Sequence, residues 1–204
     1  DEAKRKQLKE LRVLDIKGGK TDFGGDVYAL LSTPQGLLVG SLAGLRLGSR
    51  LIPLRAGEQP LVNALAYDAK RRCYWIGTEG ALYCADLQLR NFSQIPALNG
   101  NSIKCLSTDA AGNLYIGTDN GLYQMALSNA ITHYIHDSRD DASIPNNIVW
   151  ACFVDKWQNV WVGTDNGLSR LTTHTYYRYV SLDKITMSGE GNCLHAMLQT
   201  RNGE

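Results

Sequence analysis

The densest set of metal-ligating side chains in the sequence is His133-x-x-His136 followed by Asp137, Asp140 and Asp141. Imidazole and carboxylate donors at short spacing are what a divalent cation takes. On a strand, however, residues i and i+3 point to opposite faces, and no Cys or third His stands nearby to complete a donor set. The acidic run also lacks the glycine and the bidentate glutamate of an EF-hand loop. Neither zinc nor calcium is assigned. The five cysteines, Cys73, Cys84, Cys105, Cys152 and Cys193, form no C-x-x-C pair and have no His at ligand spacing. Their odd number cannot be fully paired within one chain, and they are read as buried, free, structural thiols with an occasional disulfide as the alternative. No Gly-x-Ser-x-Gly elbow, Walker loop or dinucleotide fingerprint appears. The carboxylate pair of a glycosidase is defined by a separation in space that a sequence does not contain. No catalytic residue, metal or cofactor is assigned.

Composition narrows the partners. A formal net charge of +1 over 204 residues supplies no field that would concentrate nucleic acid or an anionic membrane. A hydrophobic fraction of 44% with 20% charged residues suits a packed globular chain rather than a disordered one. The longest apolar runs are a few residues, so no segment reads as a bilayer span, and no leader pattern opens the sequence.

One pattern returns four times: Leu38-Val39-Gly40-Ser41, Trp75-Ile76-Gly77-Thr78, Tyr115-Ile116-Gly117-Thr118 and Trp161-Val162-Gly163-Thr164. The glycines stand 37, 40 and 46 residues apart, the period of a small antiparallel sheet of about four strands. Each unit opens on an apolar stretch: Val27 to Leu31, Val62 to Tyr67, Ile103 to Thr108 and Ile148 to Val154. A turn follows, such as Asp109 to Asn113 or Asp155 to Asn159, and then the aromatic-aliphatic-Gly-Thr strand. Asp119-Asn120-Gly121 and Asp165-Asn166-Gly167 then read as tight hairpins whose Asn-Gly supplies positive φ angles. A fourth strand is expected at Ile131 to Ile135 and Tyr176 to Val180, where β-branched and aromatic residues cluster. Leu11 to Ile16 sits where the outer strand of a preceding unit would lie. Leu194 to Leu198 reads as a further inner strand, with Arg201 to Glu204 as the turn after it.

The fold expected is all-β: a β-propeller fragment of about four blades, with a partial blade at each end. Residues 1–10 form an N-terminal flank and 11–204 the propeller segment. The blades fall at about 27–60, 62–100, 103–145 and 148–192, and a partial blade at 193–204. Gly40, Gly77, Gly117 and Gly163 are read as points of close approach where a neighbouring aromatic packs. Trp75, Tyr115 and Trp161 are expected to fill the space between blades, with sugar stacking as the alternative. An open arc leaves faces and edges exposed, so other blades of a larger propeller or self-association of the fragment are the expected partners.

These units resemble the two-component regulator propeller repeat, whose pattern is an inner strand, Asp, a Gly-Asn turn, aromatic-Ile-Gly-Thr, then Asn-Gly-Leu. Ile103 to Tyr123 and Ile148 to Ser169 fit it closely, and His136 to Ile148, ending Ser-Ile-Pro-Asn-Asn, resembles its connector. Thr33 and Ser41 in the first unit, Lys70-Arg71-Arg72 and Glu79-Gly80-Ala81 in the second, and Thr200 depart from it. The resemblance implies a periplasmic propeller of a membrane-crossing sensor histidine kinase, many of whose relatives respond to oligosaccharides. It implies no enzymatic role for this segment.

Binding residues are expected where the repeat leaves the residue free. The inner strands of a propeller converge on a central opening, so the second residue of each is singled out: Tyr28, Asn63, Lys104, Val149 and His195. Their neighbours Asn101, Asn146, Asn147, Trp150 and Asn192 join them. Tyr28, Asn63, Lys104, Trp150 and His195 form the ligand-binding set, since amides, aromatic faces and a cation suit a polyhydroxylated ligand. A ligand-independent interaction scaffold is the competing reading. A propeller lyase or hydrolase is a third, with only His195 and Lys104 as candidates.

Overall fold

The computed structural model describes residues 25–55, 59–171, 176–179 and 193–200. They form sixteen strands in four antiparallel sheets of four, each sheet ordered as its strands follow in the chain. The first blade holds β1 (Val27–Thr33), β2 (Gly36–Ser41), β3 (Gly44–Leu47) and β4 (Arg50–Ile52). The second holds β5 (Val62–Asp68), β6 (Cys73–Thr78), β7 (Leu82–Ala85) and β8 (Phe92–Gln94). In the third are β9 (Ile103–Thr108), β10 (Leu114–Thr118), β11 (Gly121–Met125) and β12 (Ile131–Tyr134). The fourth has β13 (Val149–Val154), β14 (Val160–Thr164), β15 (Gly167–Leu171) and β16 (Tyr176–Tyr179). The expected four-blade architecture is therefore present, but Leu194 to Leu198, expected as a further inner strand, form no strand. The outer strands β4 and β8 are the ones the sequence did not mark. The proposed strand at Leu11 to Ile16, Asn192 and the turn at Arg201 to Glu204 lie outside the described residues.

The four inner strands β1, β5, β9 and β13 stand side by side. A blade alone cannot hide both of its faces, so the apolar residues form three clusters, each shared by two successive blades. Trp75 packs with Ile103, Leu114 and Ile116 of the third blade, and Tyr115 with Val149, Val160 and Val162 of the fourth. Trp75 and Tyr115 thus lie between blades, whereas Trp161 is partly exposed and lines an opening beside Met197 and Leu198.

The repeated glycines meet something other than an aromatic, which corrects the sequence reading. A Cβ at Gly40 would lie 2.7 Å from Val62 Cγ1, and one at Gly77 only 2.5 Å from Ile103 Cγ2. At Gly117 it would lie 2.7 Å from Val149 Cγ1, and at Gly163 2.5 Å from Leu194 Cδ2. Gly40, Gly77 and Gly117 thus receive the first apolar side chain of the next inner strand, and Gly163 receives Leu194.

The hairpins between second and third strands also differ in detail. Thr118 pairs with Gly121 and Thr164 with Gly167, so the turns centre on Asp119-Asn120 and Asp165-Asn166. Only the glycines take positive φ, +98° at Gly121 and +115° at Gly167, where an L side chain would be strained. The repeat's hydroxyl holds each turn. Ser41, Thr78, Thr118 and Thr164 donate to the carbonyls of Gly44, Ala81, Gly121 and Gly167 at 2.8 to 3.2 Å. Thr118 Oγ1 also accepts from the amide of Asn120.

The histidines lead separate lives. His133 stacks on Tyr123 with centroids 3.9 Å apart, and its Nε2 contacts the Asn120 carbonyl. His136 Nδ1 contacts the carbonyl of Ile144, inside a connector closed on itself by Asp137, Asp140 and Ser143. All five cysteines are free, Cys73 buried and the others partly so.

Candidate functional site: an axial cleft at the inner-strand starts

Every inner strand begins with an apolar residue paired to the repeat's Ser or Thr: Val27 with Ser41, Val62 with Thr78, Ile103 with Thr118 and Val149 with Thr164. The register then slips, and the second residue falls in that irregularity, turned away from the sheet's interior ladder. This corrects the alignment in the fourth blade. Val149 is the first residue, wholly buried, and Trp150 is the second. Tyr28, Asn63, Lys104 and Trp150 occupy equivalent positions, and His195 follows Leu194 in the same way, since Leu194 meets Gly163.

These five side chains, four strands apart in sequence, line one cleft of about 300 Å3 together with Leu61 and Glu79. Trp150 is its centre. Its Nε1 donates to Asp165 Oδ1 at 3.1 Å, Lys104 Nζ lies 5.0 Å from its ring centroid, and the His195 ring tilts against it at 4.8 Å. Asn63 Nδ2 donates to Glu79 Oε1 at 3.0 Å. The bond from Trp150, with a second from the Cys193 thiol and the charge of His195, holds the Asp165 carboxyl below its ordinary value. Burial and the neighbouring Asp165 push the Cys193 thiol up. Cys193 and His195 lie 3.2 Å apart, yet a thiol kept protonated is a poor nucleophile. The cleft offers an aromatic face, an amide, a cation and the hydrogen-bonded Glu79 carboxylate: equipment for holding a polar ligand.

Asn101, Asn146 and Asn147 are spent elsewhere. Asn101 bonds the Leu98 carbonyl, Asn146 receives the Ile148 amide, and Asn147 receives that of His136. Sequence reasoning missed Glu79 and Asp165. Their signal was present: an acid follows the repeat's Thr at Glu79, Asp119 and Asp165, and that position faces the inner-strand start.

A four-blade propeller segment with a polar axial cleft defines the class. Residues 97–120 and 143–166 match the family model described as two component regulator propeller, so the chain carries repeats of that family. Among solved structures it is similar to the extracellular domain of a B. thetaiotaomicron protein assigned as a hybrid two component system. The two share 36% identity with a TM-score of 0.64, over 80% of this chain and 24% of that one. A second such extracellular domain from B. thetaiotaomicron matches at 20% identity and TM-score 0.61, over 87% of this chain and 25% of the other. Virginiamycin B lyase from Staphylococcus aureus shares the fold alone, at 11% identity and TM-score 0.56, over 78% of this chain and 58% of the lyase. No curated protein matches. The chain spans about a quarter of the length of the two extracellular domains.

Proposed function

We propose that this chain is part of the periplasmic sensing region of a two-component receptor, and that its axial cleft takes an oligosaccharide. The carrying observation is convergence: the inner-strand residues the repeat does not prescribe, Tyr28, Asn63, Lys104 and Trp150, meet in one cleft with His195. A ring face with flanking amide and charged donors suits hydroxyl-bearing rings. The similarity to extracellular domains of hybrid two component systems supports the receptor setting. The segment's task is recognition, and the phosphotransfer chemistry belongs to the rest of the receptor. Differential contacts in two arrangements of that receptor would turn binding into a signal.

Further blades are the natural partners on the first blade's open side. Val27 holds the position at which Val62, Ile103 and Val149 are wholly buried against the preceding blade's glycine, yet it is 41% exposed. Leu30, at 60% exposed, shares that strand. A thermal-shift screen of the chain against arabino-, malto-, xylo- and galacto-oligosaccharides tests the reading. At least one should raise the melting temperature, through preferential binding to the folded state. A flat response across the panel from a cooperatively melting sample contradicts it.

A further inference from the structure

At the other end of the strands, where the turns between first and second strands lie, an open groove of about 650 Å3 runs between the third and fourth blades. We propose that this groove is a second binding site, for a neutral saccharide, with Trp157 as its aromatic platform. The site is independent of the axial cleft, since the two lie at opposite strand ends and share no residue.

The repeat shows why this groove is open where the one between the second and third blades is closed. In the second, third and fourth blades the turn contains one residue at positive φ: Arg72 at +54°, Gly112 at +88° and Gln158 at +68°. Aligned on that residue, the position before it holds Arg71, Ala111 and Trp157. Arg71 closes the groove between the second and third blades. Its guanidinium is anchored at 2.8 Å on Asp68 and donates across to the Gly112 carbonyl at 2.7 Å and to the Ala126 carbonyl. Ala111 has no side chain to do the same one blade further on; Gln158 Oε1 reaches across to accept from the Ala110 amide at 2.7 Å, and the space beside that bond stays open.

Trp157 stands at this mouth 62% exposed. Its amide donates to Asp155 at 2.9 Å, a backbone role that asks nothing of the indole. Ala111 shows that the turn forms without a large residue there. Lys156 Nζ lies 4.5 Å from the centroid of the ring, a cation over an aromatic face. The walls are amide and phenol: Gln124, whose Oε1 receives the Tyr134 hydroxyl at 2.8 Å, Tyr115, and Gln158. Among the described residues no Lys or Arg lines the groove, and its carboxylate, Asp109, is bonded by both Asn113 and Tyr115. A ring face beside amide and hydroxyl groups, with the nearby cation, Lys156, held over the indole, selects a neutral polyhydroxylated ring. The volume falls in the range of about 300–1,000 Å3 typical of small-molecule sites.

The test is fluorine NMR on the chain labelled with 5-fluorotryptophan, whose four tryptophans give signals assigned by Trp→Phe variants. Maltotetraose, cellotetraose and xylotetraose are the probes, at millimolar concentration. At least one should shift the Trp157 signal. Ala111→Arg places in this groove the side chain that closes its neighbour, and should abolish that shift while the other three signals stay in place. Gln124→Ala, should the first variant fold poorly, should weaken the response several-fold. A Trp157 signal unmoved by all three probes overturns the proposal, as does a shift that survives in a folded Ala111→Arg. A shift at Trp150 alone would support the axial cleft and overturn the second site.

Discussion

At the scale of single residues, the repeat's aspartate and aromatic act as one unit. Trp75 donates to Asp68 at 3.1 Å, Tyr115 to Asp109 at 3.2 Å and Trp161 to Asp155 at 2.9 Å. The first blade lacks both members, with Thr33 and Leu38 at the two positions. Burial pushes the Asp68 carboxyl up, but the Arg71 amide, the Trp75 indole and the Arg71 guanidinium together hold it below its ordinary value. Asp155, buried and bonded by Trp161 and Asn159, is lowered in the same way. Groups with depressed folded values stabilise the fold above the unfolded carboxylate value of about 3.9. That contribution is lost as pH falls through the lower folded value, so chemical denaturation should show stability level above about pH 5 and falling below about pH 4. Asp68→Ala leaves the nearly buried Arg71 without its counter-ion and should cost about 3 kcal/mol in urea unfolding. The two positions were legible as a repeated spacing. Their bond was not, because an aspartate at a strand's end and an aromatic on the next strand meet only once the hairpin's length and register are known.

At the scale of elements, the inner three strands of each blade could be read because their apolar runs, turn residues and Gly-Thr signature are strong and periodic. The outer strands β4 and β8 could not. Each is three residues long, and Arg50, Ser93 and Gln94 carry little β preference. What orders them is pairing with β3 and β7. The register slip at each inner-strand start is equally invisible in the sequence, which is why an alignment of the strands by sequence puts Val149 in the place of Trp150. The glycine contacts give the sharpest prediction at this scale. Gly77→Ala drives a methyl into Ile103 of the next blade, and should destabilise by about 2 kcal/mol, the usual cost of overpacking. Ile103→Ala in the same background should recover part of that loss; strictly additive effects would show that the two residues do not press on each other.

At the scale of the whole molecule, blades are neighbours in sequence and in space, and each supplies one side chain to the axis. The cleft's membership was therefore largely readable once the repeat was seen, whereas Glu79 and Asp165 come from hairpins that had to fold back toward the inner strands first. The groove beside Trp157 was hidden for a different reason: it exists because Ala111 is small where Arg71 is long, a difference that has meaning only when two turns are superimposed. Sensing by the axial cleft is the central claim, and Trp150 is the residue on which its geometry turns. The most direct measurement is calorimetric titration of the oligosaccharide giving the largest thermal shift into the chain and into Trp150→Ala. The account predicts saturable binding with about one site in the parent chain and a loss of about tenfold or more in the variant, as expected for removing an aromatic contact and its hydrogen-bonded support. Affinity unchanged in a folded Trp150→Ala chain would contradict it.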